Sequence, residues 1–269
     1  MPSLILPGAT DKGDGPGGTE NVFFWIRSDR QHLAALPVFY NTGALIDTWL
    51  DQTLYAHHVF GTLTGRPIFS SNAIACDVHF RDAITFDGVN DVLQSAVIPE
   101  PVFHFTGKKQ IGVHIAFRAA NNTDATLFSM GHTGVDRDGF SVSLVPNGVM
   151  GRITLGLDCG GTGDFFPVTF VFPSGLVYND GNVHTISFMF DGTALTNQLH
   201  LVIDNLDIAV TLSTNGNMFV DSNIITIGND FGGSHFFSGD LVEVVAQNKS
   251  AEADRIILYD YYVRKWCAV

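Results

Sequence analysis

Apolar side chains recur at every second position through much of this chain. In Ile111-Gly112-Val113-His114-Ile115-Ala116-Phe117 the odd positions are apolar. Phe140, Val142 and Leu144 form another such face, and Ile153, Leu155 and Leu157 a third. A period of two is that of a strand with one buried face. Shorter runs of the same kind are Phe23-Phe24-Trp25-Ile26, Asp47-Thr48-Trp49-Leu50-Asp51, Ala83 to Phe86, Val183 to Phe190, Leu199 to Ile203, Ile208 to Leu212, Ile224 to Ile227 and Leu241 to Ala246. Turn formers follow several of them: Asp87-Gly88, Asp191-Gly192 and Asp204-Asn205. Closely spaced strands with such punctuation predict an antiparallel sandwich or barrel and no βαβ units. One segment breaks the pattern. Ser250 to Asp254 supplies an N-cap and an acidic first turn, an apolar run reaches Tyr261-Tyr262, and Arg264-Lys265 suit a helix C-terminus. A helix near residues 251–265 follows.

Composition sharpens this picture. The 269 residues are 45% hydrophobic and 15% charged, with 22 Phe and 28 Gly. Aromatics and glycines in that proportion suit half-buried strands and tight turns. A chain this long can bury a large core without disulfides or metals. Cys76, Cys159 and Cys267 are odd in number, fit no zinc spacing and read as buried thiols. The net charge is −13, from 14 basic and 27 acidic side chains, with no basic stripe for nucleic acid. Residues 1–20 stand apart as a Gly-rich arm, with 21–269 as one domain. The apolar triplet Leu4-Ile5-Leu6 is too short for a signal peptide and lacks a basic start. No stretch of the sequence is long enough for a membrane-spanning helix. The triplet is instead a candidate assembly strand on a flexible tether, with packing on its own domain as the alternative.

Several ordered segments resemble the concanavalin A-like lectin/glucanase superfamily, in particular laminin G-like modules common in phage and bacterial surface proteins. The segments are Phe24 to Asp29, Trp49-Leu50-Asp51, Gly65-Arg66-Pro67, Phe86 to Leu93, Asp180-Gly181-Asn182-Val183-His184, Ile225 to Gly228, Phe237 to Val244 and Arg255 to Trp266. The resemblance spans about residues 20 to 269. It implies an all-β, antiparallel two-sheet jelly-roll sandwich with a short C-terminal helix covering one open end, Trp266 as its plug. Trp25, Trp49, Phe86, Phe117, Phe188 and Trp266 are the expected core aromatics. The fold hosts many functions and implies none by itself.

Glycosidases of this superfamily need carboxylates sharing one strand face, about 5 to 5.5 Å apart for retaining chemistry. Asp240 and Glu243 are the nearest candidates, and a spacing of three places them on opposite faces of a regular strand. No other glutamate read as lying in a strand has a carboxylate two positions away, so no catalytic residue is assigned. His57-His58 reads as a polar or hydrogen-bonding pair rather than a metal site. Two loops mix Asp, Asn, His and aromatic residues. Glycan-binding candidates are His132, Asn229, Asp230, Phe231 and His235; metal candidates are Asp136, Asp138 and Asp230, with calcium as the ion. Against both stands the plain turn-forming role of Asp, Asn and Gly.

These readings lead to one expectation. The chain is a non-catalytic structural and binding module of a virion surface, such as a phage capsid decoration or a tail or fibre protein. It is made in the host cytoplasm, held to other virion proteins or to copies of itself, and takes glycans as a further ligand. Nucleic acid and membrane insertion are not expected. A free calcium-assisted lectin and a polysaccharide-cleaving glycosidase are the alternatives.

Overall fold

The alternating runs form strands. The structure, a computed structural model, describes residues 16, 22–28, 41–53, 57–76, 79–96, 110–131, 139–146, 148–156, 164–171, 177–191, 199–210, 217–218, 224–230, 234–248, 252–266 and 268. In chain order the strands are β1 (Val22–Arg27), β2 (Thr48–Trp49), β3 (Val59–Gly61), β4 (Ile68–Cys76), β5 (His79–Asp87), β6 (Leu93–Ser95), β7 (Gln110–Ala119), β8 (Ala125–Gly131), β9 (Gly139–Val145), β10 (Gly148–Gly156), β11 (Asp164–Val171), β12 (His184–Asp191), β13 (Leu199–Ile203), β14 (Leu206–Val210), β15 (Asn217–Met218), β16 (Ile224–Ile227) and β17 (Ser238–Gln247). One helix, α1 (Glu252–Trp266), follows.

The strands make two sheets, and every described strand pairing is antiparallel. The first runs β14-β13-β12-β7-β17-β5-β4, with β1 also on β17; the second runs β11-β10-β9-β8-β16-β6-β3-β2, with β15 on β10. Strand β17 is the spine of the first. It pairs with β7 along one edge, and along the other with β5 at Ser238 to Leu241 and with β1 at Glu243 to Gln247.

The inner faces of the two sheets meet in a single cluster. Ile115, Phe117, Ile186, Phe188 and Val244 of one sheet pack with Phe128, Phe140, Val142, Leu144 and Ile227 of the other. Phe140 stacks on Phe188 with ring centroids 4.7 Å apart. The six expected core aromatics are all buried, Trp25 at 7% exposure and the others at 0 or 1%.

The turn chemistry explains why separate sequence segments meet. The Asp87 carboxylate accepts the Val89 and Asn90 amides, at 2.8 and 3.2 Å, and Asn90 Nδ2 donates to Thr64 O at 2.8 Å. Gly65 sits beneath this turn, where a Cβ would lie 1.7 Å from the Asn90 carbonyl oxygen. Only a glycine fits that approach.

The helix does not cap an open end. Leu258, Tyr262 and Trp266, spaced by four, form one apolar stripe on α1. They pack on the outer face of the first sheet against Trp25, Ala83, Ala116, Val242 and Val245. Arg255 Nη1 donates to Asn205 Oδ1 (3.0 Å) near one end of the helix, and Arg81 Nε to Lys265 O (3.2 Å) at the other. The helix therefore crosses the sheet from the β13–β14 turn towards β5. Among the described residues no helix is long and apolar enough to cross a membrane.

A bulge makes this packing possible. The β17–β7 register shifts between Leu241 and Glu243, which face Phe117 and Ala116 in turn. Val242 and Glu243 therefore both point towards the helix. Glu243 is fully buried. Its carboxylate accepts hydrogen bonds from Trp25 Nε1 (2.6 Å), Trp266 Nε1 (2.6 Å), Tyr261 Oη (3.2 Å) and Lys265 Nζ (3.1 Å).

Two stability predictions follow from these packing relations. Phe188→Ala removes a fully buried ring from between the sheets and should cost about 3 to 5 kcal/mol in urea unfolding; an unchanged midpoint would remove Phe188 from the core. Glu243→Gln keeps the shape but deletes the charge facing Lys265 and turns one acceptor atom into a donor among donors. It should cost about 3 kcal/mol, and a midpoint equal to that of the wild type would show that the carboxylate does not hold the helix.

Candidate functional site

The richest described surface feature is the loop joining β16 to β17. Its shape is fixed at the neck. Gly228 has φ +84°, and a Cβ there would lie 2.4 Å from the Phe86 ring. The Gly228 amide donates to Leu127 O (3.1 Å), and its carbonyl accepts the Phe237 amide (2.8 Å). Strand β8 holds both limbs. Ser129 Oγ donates to Asn229 O (3.2 Å), and the Thr126 amide donates to His235 O (2.9 Å).

Within this frame Asn229 turns inward. It is buried, and its carboxamide oxygen accepts the amides of Asp230 (2.7 Å) and His235 (3.3 Å). Its described contacts shape the loop. Asp230 and His235 face outward, their side chains 23% and 38% exposed, with Asp230 Oδ2 2.5 Å from His235 Nδ1. Ser234 joins them. Its amide reaches Asp230 Oδ1 (3.2 Å), and its hydroxyl lies 3.4 Å from Asp230 Oδ2 and 3.0 Å from His235 Nδ1.

A Ser, a His and an Asp together invite comparison with a nucleophilic triad. A triad places the carboxylate on one ring nitrogen and the hydroxyl on the other. Here both oxygens lie on Nδ1, so the imidazole cannot relay a proton from Ser234 to Asp230. What the arrangement offers a ligand is a fixed carboxylate, an imidazole and a hydroxyl at the surface, the groups that hydrogen-bond sugar hydroxyls.

Of the glycan candidates read from sequence, Asn229, Asp230 and His235 are brought together. His132 and Phe231 lie outside the described residues, as do the metal candidates Asp136 and Asp138 and the assembly triplet Leu4, Ile5 and Leu6. Pro16, the described residue of the N-terminal arm, is buried. Sequence reasoning passed over Ser234, whose place four residues after Asp230 in a Gly-rich turn was the available signal. Among the described residues no group of three or more His, Cys, Asp or Glu is arranged to hold a metal ion.

The Asp240 and Glu243 pair corrects an expectation. The bulge brings both to the same face of β17, because the extra residue restores the parity that a spacing of three breaks. Neither is free for chemistry. Asp240 is ion-paired with Arg118 and accepts Thr85 Oγ1 at 2.5 Å, while Glu243 is sealed beneath α1. The His57-His58 pair serves another carboxylate. Asp51 accepts the amides of Trp25 (2.9 Å), Thr53 (3.0 Å) and His57 (2.8 Å), and its own amide donates to His58 Nδ1 (3.1 Å).

No protein-family model matches the sequence, and no curated protein does. Solved structures do match in fold. The chain is similar to the receptor binding domain of botulinum neurotoxin D, at TM-score 0.59 and 6% identity, covering 90% of this chain and 53% of that one. It is similar to the binding domain of Paraclostridial Mosquitocidal Protein 1, at TM-score 0.55 and 12% identity, covering 90% and 52%. A third match is to botulinum neurotoxin type C, whose cell entry depends upon interaction with two ganglioside molecules, at TM-score 0.51 and 10% identity, covering 89% and 51%. The chain spans about half the length of these structures. At such identities the likeness is one of fold, and it agrees with the antiparallel two-sheet sandwich described above.

Proposed function

We propose that this chain is a non-catalytic, glycan-binding module of the concanavalin A-like superfamily, carried on the surface of a virion. The observation that carries the binding reading is the division of labour among its acidic groups. Asp240 and Glu243, the strand carboxylates nearest to a glycosidase pair, are consumed by Arg118 and by the helix contacts. Asp230, His235 and Ser234 stand at the surface on a braced loop. Preorganised hydrogen-bonding groups on a rigid scaffold bind polar ligands at low ordering cost. The neurotoxin whose cell entry depends upon gangliosides has the same type of fold, which supports a glycan as the ligand class. The virion location rests on the likeness of the ordered sequence segments to phage surface modules. In this reading residues 1–20 form the arm that fastens the domain, residues 21–269, to its neighbours.

A glycan array probed with and without chelator tests the binding. Specific glycan signal that falls at least tenfold in Asp230→Ala, with the melting temperature kept, is the expected result; signal unchanged by Asp230→Ala would move the site elsewhere. Loss of signal with chelator alone would bring in the calcium-assisted lectin. Mass spectrometry of purified virions tests the location, and absence of the chain from the particles would overturn it.

A further inference from the structure

The Asp-Gly-x-x-His segment, noticed first as a family likeness, builds a charge arrangement that the binding reading does not use. The His184 ring lies between two carboxylates. Nδ1 is 2.7 Å from Asp204 Oδ2, and Nε2 is 2.9 Å from Asp180 Oδ1. The side chain is 6% exposed and leans on the Phe117 ring, centroids 6.1 Å apart. Each carboxylate is positioned independently. Asp180 accepts the Asn182 amide (2.8 Å), with Gly181 at φ +90°. Asp204 accepts the Thr185 amide (2.8 Å) and opens the left-handed Asp204-Asn205 turn, with φ of 43° and 63°.

The two carboxylates belong to different parts of the sandwich. Asp204 sits in the β13–β14 turn, which Arg255 of α1 holds through Asn205. Asp180 sits in the segment before β12. Two residues earlier, the Tyr178 hydroxyl is bound to Val145 O (2.7 Å), on the second sheet, and lies 2.8 Å from Asn122 Oδ1, in the β7–β8 connection. The groups facing His184 are therefore Asp180 from the preceding turn, Asp204 from the hairpin and the Phe117 ring from β7. On α1, the Tyr259 hydroxyl stands in the field of Asp204, Asp260 and Arg255.

A neutral imidazole has one N–H and can serve one of its two carboxylates, whereas an imidazolium donates to both. We infer that His184 is a proton-operated clasp, whose imidazolium ties the segment 177–183 to the β13–β14 turn and whose deprotonation releases the Asp180 side. Asp180 is the side that opens, because its side chain is 33% exposed against 16% for Asp204, and Asp204 stays bound to the Thr185 amide. Burial alone would push the imidazole down. The hydrogen bond and charge of Asp204, and then those of Asp180, overcome this and hold it above the ordinary 6.5. A group raised in the folded state contributes stability that is fully present below its unfolded value, here about 6.5, and is lost as pH rises through the folded value. The clasp is therefore closed in acid and loosens on the alkaline side.

The test is an NMR titration of the His184 ring in the whole chain, with amide hydrogen exchange at residues 181–183 corrected for intrinsic rates. His184→Gln assigns the ring signal. The expected result is a midpoint above about 6.5, with protection falling through the same midpoint. Each unit by which the wild-type midpoint exceeds that of Asp180→Asn corresponds to about a tenfold loss of closed clasp across the titration. Asp180→Asn, at a part-exposed site, should lower the midpoint and remove the pH step in exchange while the sandwich stays folded; it serves as the control should His184→Gln fail to fold. A wild-type midpoint at or below about 6.5, or protection that does not change through the midpoint, overturns the clasp.

Discussion

A carboxylate with no access to water holds the outer face of this sandwich together. Left unpaired, Glu243 would be expensive enough to unfold the region or to protonate. It is instead surrounded by the two indole N–H groups, a phenol and an ammonium. Those donors come from β1 and from the last turns of α1, while the acceptor comes from β17. Trp25 of β1 lies 218 positions from Glu243, and the three elements have no apolar pattern that would by itself fix their mutual register. An apolar contact between them would be non-directional; the hydrogen bonds are not. Trp25 and Trp266 can place their N–H groups on one carboxylate in few arrangements, and the adjoining apolar cluster then fills in around that geometry.

The same constraint shows what sequence could and could not reveal. The alternation at Ile111 to Phe117 and at Phe140 to Leu144 gave the inner core directly, because each apolar position reports a face and the period leaves one assignment. The helix was legible from its cap, its acidic start and its basic end. Its docking was not: the Leu258, Tyr262 and Trp266 stripe says that something is covered without saying what. The bulge at Val242-Glu243 was invisible for a sharper reason. A bulge changes the facing of every later residue by one, and Leu241 to Ala246 is apolar on both faces. The one polar position in that run, Glu243, is itself fully buried and did not betray the slip, so the faces of Asp240 and Glu243 were assigned by a parity that the strand does not keep.

The candidate site was legible in composition and not in direction. Asn229, Asp230 and His235 are near neighbours in the chain, and their types suggest a polar binding loop. Which of them faces outward depends on Gly228, on the ring of Phe86 beneath it and on the tethers to Ser129 and Thr126. Of these partners only Gly228 is local; Ser129 lies 100 positions from Asn229, and Thr126 and Phe86 are as remote or more so. Nothing local distinguishes an inward Asn229 from an outward one. The meeting of Gly65 with Asn90 was hidden in the same way, although both segments had been singled out.

The acidity of the chain takes on a different meaning once these contacts are in place. A net charge of −13 reads most simply as a device for solubility. Yet Asp51, Asp204, Asp240 and Glu243 are not scattered over the surface. Each ties together separate segments of the chain: β1 and the 51–58 loop at Asp51, the β12 start and the β13–β14 turn at Asp204, β5 and β7 at Asp240, and β1 and α1 at Glu243. An antiparallel sandwich has many loops and few local contacts to fix them, and a carboxylate with two acceptor oxygens can fasten several donors at one point. These acidic residues act as fasteners, which removes them from the pool available to chemistry. A carboxylate already committed to amides, indoles or a guanidinium cannot also shuttle protons or attack a sugar without opening the fold it secures. The Asp230 and His235 pair differs in being at the surface of a loop that is already braced by other bonds, and that is the physical ground for looking there, rather than along β17, for the contact with a ligand.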